Sequence, residues 1–298
     1  MTSVTLVVNP FATRVTQAKL ADVQAELARV ADLTVVLTER PGHATELVTG
    51  ALTDGTEAVV VYSGDGGFNE ALNGLAHDVP IGFLPGGGTS VLSRALGLPA
   101  DPVEAARRLA ESIQAGRTRR ITVGRVNGRR FAFAAGVGLD ADAVRRVDKM
   151  GRTDEGKRPG DLAYALAVVG ALATHTGHLE PTLEVKGFGR AAFAFVANGS
   201  PYTYAKRLPL PIARDAQFEL GLDLVAPVRV RRRSLVPFAF AILSGHSRGR
   251  RDTLYGHDLD RVEIVCDRPT ALHADGEDLG DVEEAVFVAE RGAVSVFV

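Results

Sequence analysis

Short apolar runs alternate with helical patterns in the first third of the chain. Strands are predicted where apolar residues are contiguous, and helices where apolar residues recur every three or four positions. The predicted strands are Val4–Val8, Leu33–Leu37, Ala58–Tyr62 and Ile81–Leu84. The predicted helices are Gln17–Val30, Ala44–Leu52, one that begins near Phe68, Val91–Leu96 and Val103–Ala115. This alternation is typical of a three-layer α/β domain, in which helices cover both faces of a parallel sheet.

The pattern changes after residue 120. Two runs, Ile121–Val126 and Arg130–Ala135, flank Asn127-Gly128, which is a strong signal for a two-residue hairpin turn. Further strands are predicted at Thr182–Lys186, Ala191–Ala197, Phe218–Val225, Arg261–Cys266, Ala271–Ala274, Glu284–Ala289 and Ala293–Val298. Helices are predicted at Ala141–Asp148, Leu162–Ala173 and Leu235–Leu243, and a loop at Asp148–Gly160. Mostly antiparallel strands after an α/β block predict a second domain, a β-rich sandwich.

These patterns divide the chain into two predicted domains. Residues 1–120 form the α/β domain, and residues 121–298 form the β-sandwich domain, with a return of the last strand to the first domain left open. Ligands of parallel α/β sheets bind beyond the carboxyl ends of the strands. An active cleft is therefore expected between the two domains.

Composition narrows the class of protein. Hydrophobic residues make up 46% and charged residues 23%, which is ordinary for a globular protein, and the net charge of −2 gives no signature of nucleic-acid binding. The single cysteine, Cys266, cannot form an intrachain disulfide, so a cytoplasmic location is expected. No apolar run approaches the ~20 residues of a membrane-spanning helix, so no transmembrane segment is expected. The arginines in Arg229–Arg233 and Arg248–Arg251 are compatible with peripheral association with an anionic membrane surface, or with a solvated face.

Three turns that suit phosphate binding follow the predicted strands. Asn9–Thr13 follows the first strand, Ser63–Glu70 the third and Pro85–Ser90 the fourth. Glycines allow backbone N–H groups to approach phosphate oxygens closely, and a helix N-terminus adds partial positive charge. Neither the dinucleotide motif GxGxxG nor the phosphate loop GxxxxGK[ST] is present. The three loops together predict a phosphate-binding edge of a different kind.

The sequence SGDGGFNEALN at Ser63–Asn73 resembles the GGDGTxNEVxN signature of the diacylglycerol kinase catalytic family, which includes bacterial lipid kinases and sphingosine kinases. Four further segments agree in order. They are Asn9-Pro10 (family NPxSG), Pro85–Arg94 (P-x-G-T/S-x-N-x-F-A-R), Gly136–Ala141 (GxGxDA) and Asp275–Glu277 (DGE). The resemblance runs through essentially the whole chain. It implies a NAD kinase/diacylglycerol kinase-like fold, with an α/β nucleotide-binding domain followed by a β-sandwich domain.

The resemblance implies an ATP-dependent lipid kinase that transfers a γ-phosphoryl group to a lipid hydroxyl, with a diacylglycerol-type acceptor at a membrane surface. ATP and Mg²⁺ are the implied cofactors. The residues implied to bind nucleotide are Asn9, Pro10, Thr13, Thr38, Ser63, Gly64, Asp65, Gly66, Gly67, Asn69, Glu70, Gly87, Gly88 and Thr89. Asp65 would also serve the magnesium ion. Asp275 and Glu277 are the implied catalytic pair, since phosphoryl transfer needs a base beside the acceptor hydroxyl.

The chain departs from the family pattern at several positions. Gly67 and Gly88 replace hydroxyl residues, Ser90 replaces Asn, and Val91, Thr122 and Leu220 stand where many members have Asp. A carboxylate-poor loop is a poor site for a hard cation, so the structural magnesium that some members hold near position 220 is expected to be absent. The missing hydroxyls predict modest nucleotide affinity, which Gly67→Thr is expected to raise.

Two alternatives stay open. An NAD kinase-like enzyme shares GGDG and a two-domain plan, although NEALNGL, Asn9-Pro10 and the DGE segment fit the lipid branch better. A catalytically weak regulator that binds lipid or nucleotide would explain the departures, although Asp65, Asn69 and Glu70 are retained. The sequence names neither the lipid nor the oligomeric state, and a homodimer is left open.

Overall fold

The computed structural model describes residues 1–149, 178–205, 208–231 and 244–298. The chain forms two compact units, one of Met1–Ile121 with Gly292–Val298 and one of Thr122–Arg291. Three predicted segments lie outside the described residues. They are the helix Leu162–Ala173, the helix Leu235–Leu243 and residues 150–160 of the loop.

The first unit is built on a parallel sheet. Its strands are β1 (Thr2–Val8), β2 (Ala31–Leu37), β3 (Ala58–Ser63) and β4 (Ile81–Pro85). They lie in the order β4-β3-β1-β2, and the last residues of the chain add a parallel neighbour to β4 through the pair Val296 and Ile81. All six residues of β3 are buried. Burial on both faces explains why these strands are continuous apolar runs.

Helices cover both faces of this sheet. They are α1 (Gln17–Ala28), α2 (His43–Thr53), α3 (Asp65–Gly74), α4 (Val91–Ala95) and α5 (Pro102–Gln114). On one face, Leu6 belongs to an apolar core with Leu27 of α1 and Leu109 of α5. On the other, Phe83 of β4 packs against Phe68 of α3, with ring centroids 5.0 Å apart. The predicted α/β class is confirmed.

The second unit is β-rich. Its strands include β5 (Thr118–Val126), β6 (Arg129–Phe131), β7 (Ala134–Val137), β8 (His178–Leu179), β9 (Leu183–Val185), β10 (Gly189–Ala191), β11 (Ala194–Ala197), β12 (Thr203–Ala205), β13 (Leu208–Leu210), β14 (Leu222–Pro227), β15 (Val230–Arg231), β16 (Thr253–Leu259), β17 (Arg261–Ala274) and β18 (Glu277–Phe297). One helix, α6 (Leu139–Lys149), follows β7. The path β16-β14-β11-β7-β17-β18 is antiparallel at every step, as predicted for this part of the chain.

Strand boundaries differ from the sequence pattern in four places, and in the first of them the predicted strand Arg130–Ala135 is split into β6 and β7. Arg261–Cys266 and Ala271–Ala274 belong to one strand, β17, whose register shifts between Val265 and Thr270. Glu284–Ala289 and Ala293–Val298 are likewise joined in β18, where Gly292 has φ 56°. The predicted strand Ala191–Ala197 is split instead, into β10 and β11. Apolar runs mark only the buried stretches of a strand. They therefore show that a strand is present better than they show where it begins and ends.

The hairpin at Asn127-Gly128 is confirmed. β5 and β6 pair through Gly124 with Phe131 and through Val126 with Arg129. Asn127 and Gly128 have φ 45° and φ 92°, which is the left-handed geometry that a two-residue hairpin turn requires. Within the described ranges, no helix is both long and apolar enough to cross a bilayer.

Candidate functional site

Three loops of the first unit meet at the carboxyl edge of its sheet. Asn9 N donates to Tyr62 O over 3.0 Å, and Thr38 N donates to Val8 O over 2.8 Å. Gly86 N donates to Ser63 O over 2.7 Å. The segments that the sequence assigns to nucleotide binding after β1, β2, β3 and β4 are therefore adjacent in space.

The loop after β1 is held in shape by its own polar groups. Asn9 Oδ1 accepts from Phe11 N over 3.0 Å, which closes a local turn. Arg14 connects this loop to the one after β4, because its guanidinium donates to Gly88 O over 3.0 Å and its N donates to Gly86 O over 2.9 Å. Pro10 and Thr13 are exposed at the tip of the loop, whereas Thr38 is buried.

The glycines after β3 and β4 allow the backbones of these two loops to pack closely against each other. A Cβ on Gly87 would lie 2.8 Å from Gly64 Cα, and a Cβ on Gly86 would lie 3.0 Å from Ser63 O. Any side chain at either position would push the loops apart. Gly88 differs, because no described atom lies within 4 Å of the position that its Cβ would take. A side chain at position 88 would meet open space.

Two acidic residues of the signature anchor helix N-termini. Asp65 Oδ2 accepts from Val91 N and Asp65 Oδ1 from Leu92 N, each over 3.0 Å, at the start of α4. Glu70 Oε2 accepts from Ala44 N over 3.2 Å, in the first turn of α2. Negative charge at a helix N-terminus is favourable, and it satisfies N–H groups that have no partner within the helix. These contacts give both carboxylates a role in the fold.

Asn69 lies inside the unit, where its side chain is fully buried. Asn73 Nδ2 donates to Asn69 O over 2.9 Å and to Asn69 Oδ1 over 3.2 Å. These bonds lie between successive turns of α3. Asn69 thus packs within the first unit, whereas Gly66 and Gly67 are partly exposed at the start of the helix.

Ser63 and Gly67 compete for the same space. A Cβ on Gly67 would lie 2.2 Å from Ser63 Oγ and 2.8 Å from Ser63 Cβ, both too short for a real contact. The expected gain from Gly67→Thr stays a prediction, and these distances argue against it in a chain that keeps Ser63, because a threonine at 67 must displace the serine side chain.

In the second unit, Asp275 occupies the turn between β17 and β18 with φ 47°. Its carboxylate is buried and accepts three backbone N–H groups, from Ala132 to Oδ2 over 2.6 Å and from Phe133 and Ala134 to Oδ1 over 3.0 and 3.1 Å. Hydrogen bonds from N–H groups stabilise the ionised form of a carboxylate and fix its orientation. Asp275 is therefore a rigidly held negative charge.

Glu277 has a different environment. It forms an ion pair with Arg129 of β6, and its side chain is 24% exposed. The two carboxylates of the DGE segment lie two residues apart, yet one is held by backbone groups and the other by a guanidinium. Only Asp275 is buried.

A buried polar cluster beside this turn has no counterpart in the sequence prediction. His273 Nε2 lies 2.5 Å from Asp140 Oδ2, and Tyr202 Oη donates to Asp140 Oδ1 and Oδ2 over 3.0 and 2.9 Å. All three residues are buried. A Cβ on Gly136 would lie 2.8 Å from His273 Nε2, so glycine is needed beneath the pair. The signal in the sequence is that Gly136 and Asp140 belong to GxGxDA and His273 precedes Asp275 by two residues.

A second buried carboxylate, Asp223, lies in β14. It accepts from Asp258 N over 3.1 Å and from Tyr255 Oη over 3.3 Å, and it lies 2.8 Å from His257 Nδ1. Burial raises the pKa of Asp223 above its usual value, although these contacts oppose the shift. Among the described residues, no three His, Cys, Asp or Glu side chains lie close enough together to hold a metal ion.

The comparisons with known proteins agree with the motifs. Residues 3–126 match the family model of the diacylglycerol kinase catalytic domain. The chain is 26% identical to a diacylglycerol kinase of Bacillus subtilis over 246 residues, which cover 79% of this chain and 76% of that protein. The family-model match and these curated relatives support a divergent member of the diacylglycerol kinase catalytic domain family. A diacylglycerol kinase of Mycobacterium tuberculosis is 33% identical over 136 residues, or 44% of this chain and 41% of that protein.

Solved structures with this fold include a candidate diacylglycerol kinase from Bacillus anthracis, with a TM-score of 0.77 and 19% identity over 99% of this chain and 96% of that one. An NAD kinase from Archaeoglobus fulgidus in complex with ATP has a TM-score of 0.55 and 14% identity over 99% of this chain and 93% of that one. At these identities the likeness establishes the diacylglycerol kinase-like fold. Asp275 and Glu277 lie beyond the segment that the family model matches.

Proposed function

We propose that this diacylglycerol kinase family member is an ATP-dependent lipid kinase that phosphorylates a lipid hydroxyl, with a diacylglycerol-type acceptor. The observation that carries the proposal is the meeting of three family loops around the N-terminus of α3, within one unit. Phosphoryl transfer depends mostly on positioning and on electrostatic stabilisation of phosphate charge. A helix N-terminus surrounded by glycine loops provides both.

Residues 1–120 form the nucleotide-binding domain in this proposal. The binding set is the one that the resemblance implies, Asn9 to Thr13, Thr38, Ser63 to Glu70 and Gly87 to Thr89. Gly66 and Gly67, at the open start of α3, are the residues of this set best placed to present N–H groups to phosphate. Glu70 would also hold the start of α2 in place, and Asp65 would hold the start of α4 in addition to serving magnesium. The ATP complex of the Archaeoglobus NAD kinase supports a nucleotide donor for this fold.

Magnesium would bind to the protein together with the nucleotide. The described carboxylates form no cluster that could hold a resident ion, and Mg²⁺ in kinases is bound through one or two carboxylates together with the substrate phosphates. Asp65 fits the role of such a single carboxylate, because its side chain is partly exposed beside the glycine loop. The ion would neutralise phosphate charge during transfer.

Residues 121–298 form the acceptor domain, and Asp275 is the proposed group for the acceptor hydroxyl. Its charge is fixed by three backbone N–H groups, so it would orient the hydroxyl with little reorganisation. Glu277, paired with Arg129, would set the position of the turn that carries Asp275. The protein would bind its lipid acceptor at a membrane surface.

The test is a transfer assay with labelled ATP and Mg²⁺. Acceptors are mixed micelles of diacylglycerol, monoacylglycerol or a long-chain base, and soluble NAD serves as a further acceptor. We expect label in phosphatidic acid and a decrease of about 10²–10⁴-fold in kcat for Asp275→Asn. Glu284→Gln is the control, since it removes an exposed carboxylate of β18 that has no role in the proposal. Label in NADP would favour the NAD kinase alternative, and nucleotide binding without transfer to any acceptor would favour the regulator.

A further inference from the structure

Ser63 carries a buried hydroxyl whose hydrogen bond is not made within the protein. The residue ends β3 and is 2% exposed. Among the residues that the structure describes, its Oγ has no hydrogen-bond partner. Other buried serines of the same unit differ, since Ser93 Oγ donates to Ser90 O and Ser112 Oγ to Val298 O. A buried hydroxyl that lacks a partner is unfavourable, so a bound ligand is the natural place to look for one.

The hydroxyl lies over the first turn of α3. A Cβ on Gly67, the third residue of this ten-residue helix, would lie only 2.2 Å from Ser63 Oγ. The N–H groups of a first helical turn have no intrahelical acceptor and attract anions. Ser63 Oγ therefore adds a donor to a site that already favours negative charge.

Positions 63 and 67 show a reciprocal change. The family signature GGDGT has glycine at the position of Ser63 and threonine at the position of Gly67, whereas this chain has SGDGG. Because a Cβ at position 67 would lie so close to Ser63 Oγ, side chains at both positions fit only if one of them moves. The loss of the hydroxyl at 67 and its gain at 63 are thus one coupled exchange.

We propose that Ser63 Oγ donates a hydrogen bond to a phosphate oxygen of the bound nucleotide, in place of the hydroxyl that Gly67 lacks. This proposal rests on the proposed function, and it identifies the atom through which Ser63 would bind the nucleotide. In this proposal the role of Gly67 is to leave space for the side chain of Ser63. Nucleotide affinity then depends on the pair of residues and not on position 67 alone.

The test compares four proteins by calorimetric titration with MgATP and MgADP. Relative to wild type, Ser63→Ala is expected to raise the Kd for both nucleotides about tenfold, since a hydrogen bond to a charged group contributes on the order of the 1.4 kcal/mol that a tenfold change requires. Gly67→Thr alone is expected to weaken binding, because its side chain displaces Ser63. The double variant Ser63→Gly/Gly67→Thr is expected to return to within about threefold of wild type.

Thermal denaturation without nucleotide separates this role from a structural one. Ser63→Ala removes a hydroxyl that has no partner, so its Tm is expected to equal or exceed that of wild type, whereas its Tm increase on adding MgATP is expected to shrink. Ser112→Ala is the control, because it removes a bonded hydroxyl in α5 and is expected to lower Tm without changing nucleotide Kd.

If the wild type binds MgATP, two results would overturn the role of Ser63 and leave the proposed function intact. One is an unchanged Kd in Ser63→Ala, and the other is tighter binding by Gly67→Thr with Ser63 intact. A wild type that binds no nucleotide would overturn the assignment and the proposed function together. If the double variant does not fold, Ser63→Ala still decides, through its Kd and its Tm.

Discussion

Asp275 illustrates how one residue can serve the fold and the proposed chemistry together. Its backbone takes φ 47°, a left-handed conformation that Asp and Asn adopt more readily than most residues. This conformation turns the chain from β17 into β18 and leaves the carboxylate against the N–H groups of residues 132–134. The same bonds that fix the turn also fix the charge.

Asp275→Asn is expected to lower the free energy of unfolding by about 1–3 kcal/mol, because the amide NH₂ replaces an acceptor and faces a backbone donor. Denaturation by urea at pH 7 measures the loss. Glu277→Gln breaks a partly exposed ion pair and is expected to cost only about 0–1 kcal/mol. Equal stability of Asp275→Asn and wild type would contradict the hydrogen bonds described here. The kcat of this variant should therefore be measured where the protein is fully folded.

At the scale of elements, the helices of the first unit are capped in two ways. α1 and α5 begin in the conventional manner, since Thr16 accepts from Lys19 N and Asp101 accepts from Val103 N and Glu104 N. The partners of α2 and α4 come from another helix, through Glu70 and Asp65 of α3. The signature in α3 thus connects three helices at the edge where nucleotide is proposed to bind.

The cap of α5 predicts a pH dependence. Hydrogen bonds from the N–H groups of Glu104 and Val103 lower the pKa of Asp101 below its usual value. A lowered pKa in the folded state means that the stabilisation is present above the ordinary Asp pKa of about 3.9 and is lost as the pH falls through the lowered value. Asp101→Ala is expected to cost about 0.5–2 kcal/mol at pH 7, and the difference from wild type is expected to shrink below about pH 4.

Urea denaturation of both proteins at several pH values checks this expectation. Asp101→Asn is the control, since an uncharged amide oxygen still accepts at the helix N-terminus and is expected to lose little stability at pH 7. A cost for Asp101→Ala that stays constant down to a pH at which Asp101 is protonated would show that ionisation of this carboxylate adds nothing to the cap.

At the scale of the whole molecule, part of the arginine charge in the two runs is paired with carboxylates. In the described parts of these runs, Arg229 pairs with Glu180, Arg248 with Asp215 and Arg250 with Asp252. Their charge is partly compensated, and the chain as a whole carries a net charge of −2. The positive charge of these three arginines is therefore partly offset by neighbouring carboxylates.

Releasing one of these arginines is expected to strengthen binding to anionic vesicles. Asp252→Asn frees Arg250, whose Nε and Nη2 lie 2.8 and 2.6 Å from the carboxylate oxygens. A basic residue near an anionic surface contributes about 1 kcal/mol, so binding is expected to rise up to about fivefold at low salt, and less at physiological ionic strength. Sedimentation with phosphatidylserine-containing vesicles measures the change.

Asp32→Asn is the control for net charge, because it removes the same charge from an exposed position on β2. If both variants gain equally, the effect is one of net charge and the Arg250 region does not face the membrane. If neither binds better than wild type, electrostatic attraction at these arginines makes no contribution.

The sequence by itself determined the α/β class, the β-rich second half and the hairpin at Asn127-Gly128. Buried parallel strands must be contiguous apolar runs, and a two-residue turn must have residues that accept positive φ, so these features are encoded locally. It also contained the resemblance to the diacylglycerol kinase catalytic family, because Ser63–Asn73 and the DGE segment are compact signatures. The apolar pattern is interrupted within β17 and β18, where some residues of the strand are exposed.

Only the tertiary structure decided what the signature residues contact. Asp65 and Glu70 reach Val91 and Ala44, and Asp275 reaches residues 132–134, which are 26 to 143 positions away in the chain. The clash between a Cβ at Gly67 and Ser63 likewise depends on how α3 leaves β3. Side-chain contacts of this kind are set by packing across the fold, so no local pattern of hydrophobic and polar residues can specify them.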